Sequence, residues 1–84
     1  MNLKGKVVLV TGSAKRVGRV IALAFAAKGA RIAAHYNTSA AEARKLVTGV
    51  KSLSGADAAI FRADLRDAAA PGKLADDVSR RFGG

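Results

Sequence analysis

Val7-Val8-Leu9-Val10-Thr11-Gly12-Ser13-Ala14-Lys15-Arg16-Val17-Gly18-Arg19 is the stretch that decides the fold. Its first four residues are β-branched or leucine without alternation, the pattern of a short strand buried on both faces in a parallel sheet. The run stops at Thr11-Gly12, and a helical period follows, with Val17, Val20, Ile21 and Ala24 at i, i+3, i+4 and i+7. The spacing predicts a strand, a tight glycine-containing loop and then the N-terminus of a helix. There the first backbone N–H groups lack intrahelical partners and the helix dipole places partial positive charge, a geometry that binds phosphate. Gly12 lets the chain turn, and Gly18 removes a side chain where helix, strand and ligand crowd together. On the residues alone, a turn that uses glycine for geometry only stays open. A Walker-type loop does not, because no Gly-Lys-Ser/Thr follows.

The rest of the chain repeats the alternation. Gly29 stands where the first helix needs a C-terminal cap, with Lys28 in its last turn. Arg31–Tyr36 reads as a second strand leading into Asn37-Thr38-Ser39. Ser39 with Glu42 forms a capping box, and Leu46, Val47, Val50 and Leu53 give the next helix its apolar stripe. Gly49 lies inside that helix and Gly55 ends it. Ala58–Ala63 is the third strand, closed by Asp64. A last helix starts between Asp67 and Pro71, carries Leu74, Val78 and Phe82 on one face, and stops at Gly83-Gly84.

The order is β-α-β-α-β-α, without repeat or linker. Right-handed crossovers make this an α/β, Rossmann-like half with three parallel strands in order 3-2-1 and the first two helices on one face. In that order the first strand is an edge, although its Val7–Val10 run is built for a sheet centre, and only the last helix covers the second face. The chain is therefore expected to self-associate through that strand and the bare face, or to pair with a missing half.

Composition narrows the class. The 84 residues form one domain at most, half of them are hydrophobic, and there is no cysteine. A chain this short buries only roughly 60–65% of its unfolded surface, so its stability is marginal. Without cysteine there is no disulfide or thiolate site, and the single histidine, His35, builds no metal cluster; it is expected to pack or hydrogen-bond locally. The N-terminal apolar run of four residues is too short for a signal peptide or a membrane span, so a soluble cytoplasmic protein is expected. With 15 basic against 6 acidic residues the net charge is +9, which points to an anionic partner. The charges are dispersed as Lys4/Lys6, Lys15/Arg16/Arg19, Arg44/Lys45 and Arg80/Arg81, and only one tyrosine and three phenylalanines could stack on bases, so a nucleic-acid partner is disfavoured.

Thr11, Gly12 and Gly18 resemble the Thr-Gly-x-x-x-Gly-x-Gly loop of the short-chain dehydrogenase/reductase family, with Arg16 at the usual middle glycine. Among its members the loops are most similar to those of pteridine reductases: an arginine at this place accompanies NADP use there, and His35–Ala43 looks like its counterpart. The resemblance covers all 84 residues, but only the N-terminal part of the considerably longer family chains. It implies that residues 1–84 are a partial dinucleotide-binding domain, truncated before the catalytic half. It also implies that Thr11, Gly12, Ser13, Arg16, Val17 and Gly18 border the cofactor, together with Tyr36, Asn37, Thr38, Ser39, Asp64 and Leu65. In NAD-binding folds an acid after the second strand holds the ribose 2′-hydroxyl. Positions 34–39 read Ala-His-Tyr-Asn-Thr-Ser, and Asn37, Thr38 and Ser39 offer neutral donors while Arg16 supplies a cation, so NADP(H) is expected. Asp64-Leu65 matches the family's adenine position, where the carboxylate accepts from the exocyclic amine and the next N–H donates to the ring; by itself, an aspartate after a strand is as often a turn residue. Lys15 either helps balance pyrophosphate charge or is solvated.

The family's chemistry uses a Tyr-x-x-x-Lys pair with an upstream serine. Here the only tyrosine is Tyr36, and four residues on stands Ala40, so the 84 residues hold no catalytic set. The reading is the NADP(H)-binding portion of a short-chain oxidoreductase whose parent acts on a small carbonyl or imine substrate, a dihydropteridine among the candidates. Two alternatives stay open: a stand-alone, non-catalytic nucleotide-binding module, and a basic nucleic-acid-binding protein with strongly salt-dependent binding.

Overall fold

In the computed structural model, which describes residues 3–11, 16–38 and 40–83 with the side chains of Arg16 and Val17 excepted, strand and helix alternate throughout. β1 is Val7–Thr11, α1 Arg16–Ala27, β2 Arg31–Tyr36, α2 Ala40–Ser54, β3 Ala58–Arg62 and α3 Ala70–Phe82. The sheet order is β1-β2-β3 and both pairings are parallel, with β2 central. The register aligns Val8 with Ile32 and Ala58, and Val10 with Ala34 and Ile60. Those rows face α1 and α2 and form one core with Ala22, Ala26, Ala30, Leu46 and Val50. Gly29 and Gly55 end α1 and α2 in the left-handed region, at φ 89° and 71°.

Helix positions depart from the sequence reading where hydropathy misjudges the buried face. In α1, Val20, Ile21 and Ala24 are exposed, Val20 by 61%, and the buried residues are Ala22 and Ala26. With half-buried Gly18 these form a seam of small residues at i, i+4, i+8, which lets the helix axis lie close to β1 and β2. In α2, Leu53 is 78% exposed, whereas Ala43 is fully buried beside Leu46 and Val50. Lys28 lies one residue beyond α1, and β3 stops at Arg62 with Ala63 just outside. α3 starts at Ala70, inside the predicted window, with Pro71 in its first turn and Leu74 and Phe82 buried. Ser39 and its capping role lie outside the described residues.

The expectation that Val7–Val10 is buried on both faces is overturned: only Val10 is buried, while Val7 is 36% and Leu9 44% exposed. The reason is topological. β1 is an edge, and α3 covers the second face chiefly over β3, where Phe61 meets Phe82 at a centroid distance of 6.2 Å. Ala33 and His35 of β2 are buried on the same face, and β1 is left bare.

The C-terminal end of α3 is pinned by charge-assisted contacts. Arg31 donates from Nη1 to the Phe82 carbonyl at 2.9 Å and from Nε to that of Gly5 at 3.1 Å. Arg81 donates twice to Asp57, at 3.1 and 2.9 Å. The guanidinium carbons of Arg81 and Arg31 lie 5.0 and 5.5 Å from the Phe82 ring centroid. The Arg81 hydrogen bonds hold the Asp57 carboxyl below its ordinary value of 3.8.

A lowered folded-state pKa contributes stability that is present above the unfolded value and lost as pH falls through the folded one. Asp57→Asn is therefore expected to lower stability at neutral pH, with the difference from wild type closing below the ordinary value of 3.8, as read by urea unfolding across pH. A Cβ at Gly49, inside α2, meets nothing within 4 Å. Gly49→Ala is expected to raise unfolding stability by about 0.5–1 kcal/mol, measured by denaturant titration.

Candidate functional site

Parallel pairing brings the C-terminal ends of all three strands to one edge of the sheet. The register sets Thr11 beside His35, His35 beside Phe61, and Tyr36 beside Arg62. Each helix begins where a strand has just ended, so the N-termini of α1, α2 and α3 rise from that same edge. Their first N–H groups and dipoles favour an anion there, and in open α/β sheets this is the edge that receives ligands.

The sequence-predicted residues fall on this edge wherever the structure describes them. Thr11 is the exposed last residue of β1, and Gly18 is half-buried in the first turn of α1. Arg16 and Val17 open α1, their side chains outside the description; Gly12, Ser13 and Ser39 lie outside the described residues. Tyr36 ends β2 half-buried, and Asn37 and Thr38 form the bend that follows, with no carboxylate on this second exit. Asp64 and Leu65 follow β3, the first half-buried and the second 44% exposed.

Asp64 has partners that the sequence reading did not assign. Its carboxylate accepts from Arg66 Nε at 3.0 Å, from Arg66 Nη2 at 2.8 Å and from the Arg66 backbone N–H at 3.0 Å. These hydrogen bonds hold its pKa down to about 2, so it stays an ionised acceptor at any ordinary pH. The Asp67 N–H donates to the Asp64 carbonyl at 3.0 Å and closes the turn. The signal was present in the spacing, because an aspartate side chain readily accepts from the N–H two residues on.

His35 hydrogen-bonds inside the fold, but not locally in sequence as expected: its partner lies 28 residues on. Its Nε2 lies 2.8 Å from the Ala63 carbonyl oxygen, an acceptor only, so that nitrogen carries the proton. The Ala63 N–H in turn donates to the Tyr36 carbonyl at 3.0 Å.

A cavity of about 230 Å³ opens between the β3 exit and α3, and of the predicted residues it takes in only Asp64. Asp67, Asp77, Arg62 and Lys73 also line it, so neither sign of charge dominates. Among the described residues no group of three His, Cys, Asp or Glu could hold a metal ion, and no helix is long and apolar enough to cross a membrane.

The sequence pattern of the short chain dehydrogenase family matches residues 6–84. The chain is 43% identical over 81 residues to a short chain dehydrogenase/reductase of Aspergillus novofumigatus, covering 96% of this chain and 30% of that one. Against versicolorin reductase of Emericella nidulans the identity is 41% over 81 residues, again 96% of this chain and 30% of the relative. A solved structure of a dehydrogenase from Burkholderia cenocepacia with bound NADP superposes at a TM-score of 0.90 and 47% identity, over 98% of this chain and 32% of that one. The chain thus spans about a third of the length of these relatives. Three parallel strands in this order, helix N-termini gathered at their C-terminal ends and a pattern match from Lys6 to Gly84 agree: the chain belongs to the short-chain dehydrogenase/reductase family.

Proposed function

We propose that the chain is the NADP(H)-binding portion of a short-chain oxidoreductase, with residues 1–84 a partial dinucleotide-binding domain. The observation that carries this reading is the convergence of three strand exits on one edge, with the second exit, Tyr36–Thr38, free of any carboxylate. An acid there would repel a 2′-phosphate; Asn37, Thr38 and Ser39 instead offer neutral donors at the start of α2. The NADP bound to the Burkholderia cenocepacia dehydrogenase supports the same choice of cofactor.

In this reading Thr11, Gly12, Ser13, Val17 and Gly18 border the pyrophosphate, and Arg16 pairs with the 2′-phosphate. Tyr36–Ser39 surround the adenosine ribose, and Asp64 and the Leu65 N–H take the adenine edge. The Asp64 carboxylate suits that role, since it is ionised and Oδ2, with one bond to Arg66, keeps an acceptor site, while Oδ1 already accepts two. When bound, the nicotinamide cofactor supplies the hydride. The parent would act on a carbonyl or imine substrate. The likeness of His35–Ala43 to pteridine reductases favours a dihydropteridine, and the likeness to versicolorin reductase a substrate like versicolorin. The 84 residues lack a Tyr-x-x-x-Lys pair and so reduce nothing by themselves.

Arg16→Ala is expected to weaken NADPH binding by roughly 1.5–3 kcal/mol, the worth of a charge-assisted hydrogen bond, and NADH binding far less. Calorimetric titration of both cofactors tests this, and equal losses overturn the assignment. Asn37→Asp is expected to shift preference toward NADH in the same assay. Exposed Val7 and Leu9 leave the β1 face bare, and in isolation a second copy is expected to cover it. Sedimentation equilibrium is expected to show association that Leu9→Thr weakens; a monodisperse wild-type monomer overturns this.

A further inference from the structure

We propose that His35 is a positioning residue for the adenine subsite, acting through the Ala63 carbonyl. The inference rests on the proposed adenine role of Asp64 and Leu65. His35 is 7% exposed on the β2 face covered by α3, with Thr11 and Phe61 beside it in register. Nothing in packing asks for a polar ring there. The neighbouring inward position, Ala33, is apolar, and burying an imidazole is unfavourable unless its polar atoms are bonded.

The geometry shows what the ring does. In a parallel ladder every second residue of one strand is held at both its N–H and its C=O by the residues flanking its partner on the next, and Ala63 falls on that set. Ala63 keeps the first of these bonds, from its N–H to the Tyr36 carbonyl. β2 then ends, and Asn37-Thr38 bends away. The imidazole Nε2–H takes the place of the next ladder donor and meets the Ala63 carbonyl at 2.8 Å. Ala63 is thereby fixed on both sides at the last point before Asp64. From there the Asp64–Asp67 turn carries its own hydrogen bonds, so its direction as a unit is set at Ala63. An apolar ring at position 35 would fill the same space, yet leave that carbonyl unpartnered and the turn free to swing.

The hydrogen bond needs a donor at the Nε2 position. The amide nitrogen of glutamine can occupy that place, while those of asparagine and phenylalanine side chains are too short or absent. The test compares wild type with His35→Gln, His35→Asn and His35→Phe in the full chain. NMR of the ring nitrogens is expected to show the proton on Nε2, and amide exchange at Ala63 and Asp67 is expected to quicken roughly tenfold in the Asn and Phe variants only. Affinity for adenosine 2′,5′-bisphosphate is expected to fall by a similar factor in those two variants and to be kept by Gln, while affinity for nicotinamide mononucleotide is unchanged in all three. A proton on Nδ1 alone, unchanged exchange in the Phe variant, or equal losses in all three variants overturns the proposal. A wild-type chain that takes up no adenosine 2′,5′-bisphosphate overturns the nucleotide reading and the adenine role given to His35, and the exchange data then still decide whether His35 orders the turn.

Discussion

Every other element is placed by the double pairing of β2. Its neighbours β1 and β3 each have one partner, whereas β2 is bonded on both edges and buried on both faces from Ile32 to His35. A strand enclosed in this way cannot be solvated at any point, so its residues must be apolar, small or internally bonded. Ile32 supplies bulk toward α1 and α2, and Ala33 and Ala34 keep the layers close. His35 is the one polar residue of the row, and it is bonded to the neighbouring strand's exit. The alanines of β2 face a seam of small residues on α1, Ala22 and Ala26, so strand and helix are matched by the absence of volume as much as by its presence.

That matching explains which parts of the molecule were legible from sequence. Element order, strand positions to within a residue and sheet order follow from runs such as Arg31–Tyr36, from glycines at helix ends and from the handedness of crossovers, and none of these depends on distant contacts. Helix faces were less legible, because a hydropathy stripe ranks Val20, Ile21 and Leu53 above Ala22, Ala26 and Ala43. The sheet selects the small residues instead, since close approach buries more than a bulky side chain held at a distance. The burial expected of Val7–Val10 failed for another reason: the run has the composition of a central strand, but within these residues the topology makes it an edge.

At the site the legible part was position. Thr11, Tyr36, Asn37, Thr38, Asp64 and Leu65 are gathered at one end of the sheet simply because parallel strands end together. What was not read was who holds them. The double contact from Arg66 to Asp64 depends on a turn two residues long, and the His35 bond joins residues 28 apart in sequence. The first was accessible to turn chemistry; the second needed the register of β2 against β3, which periodicity alone does not supply.

The net charge of +9 is also ordered by this topology. All three helices run in the same sense relative to the sheet, so their C-termini gather at the end opposite the candidate site. Exposed Lys28 follows α1, Lys51 lies in the last turn of α2, and Arg80 and Arg81 lie in the last turn of α3, each where the dipole favours a cation. Arg80 and Arg81 are in turn paired with Asp77 and Asp57. Four of the 15 basic residues therefore complement helix C-termini at the far end, two of them with their charge balanced by an aspartate. At the candidate site the helix N-termini supply the attraction for an anion. Three N-termini gathered at one end of a sheet make a compact site for negative charge, and on the proposed reading it takes the phosphates of one nucleotide.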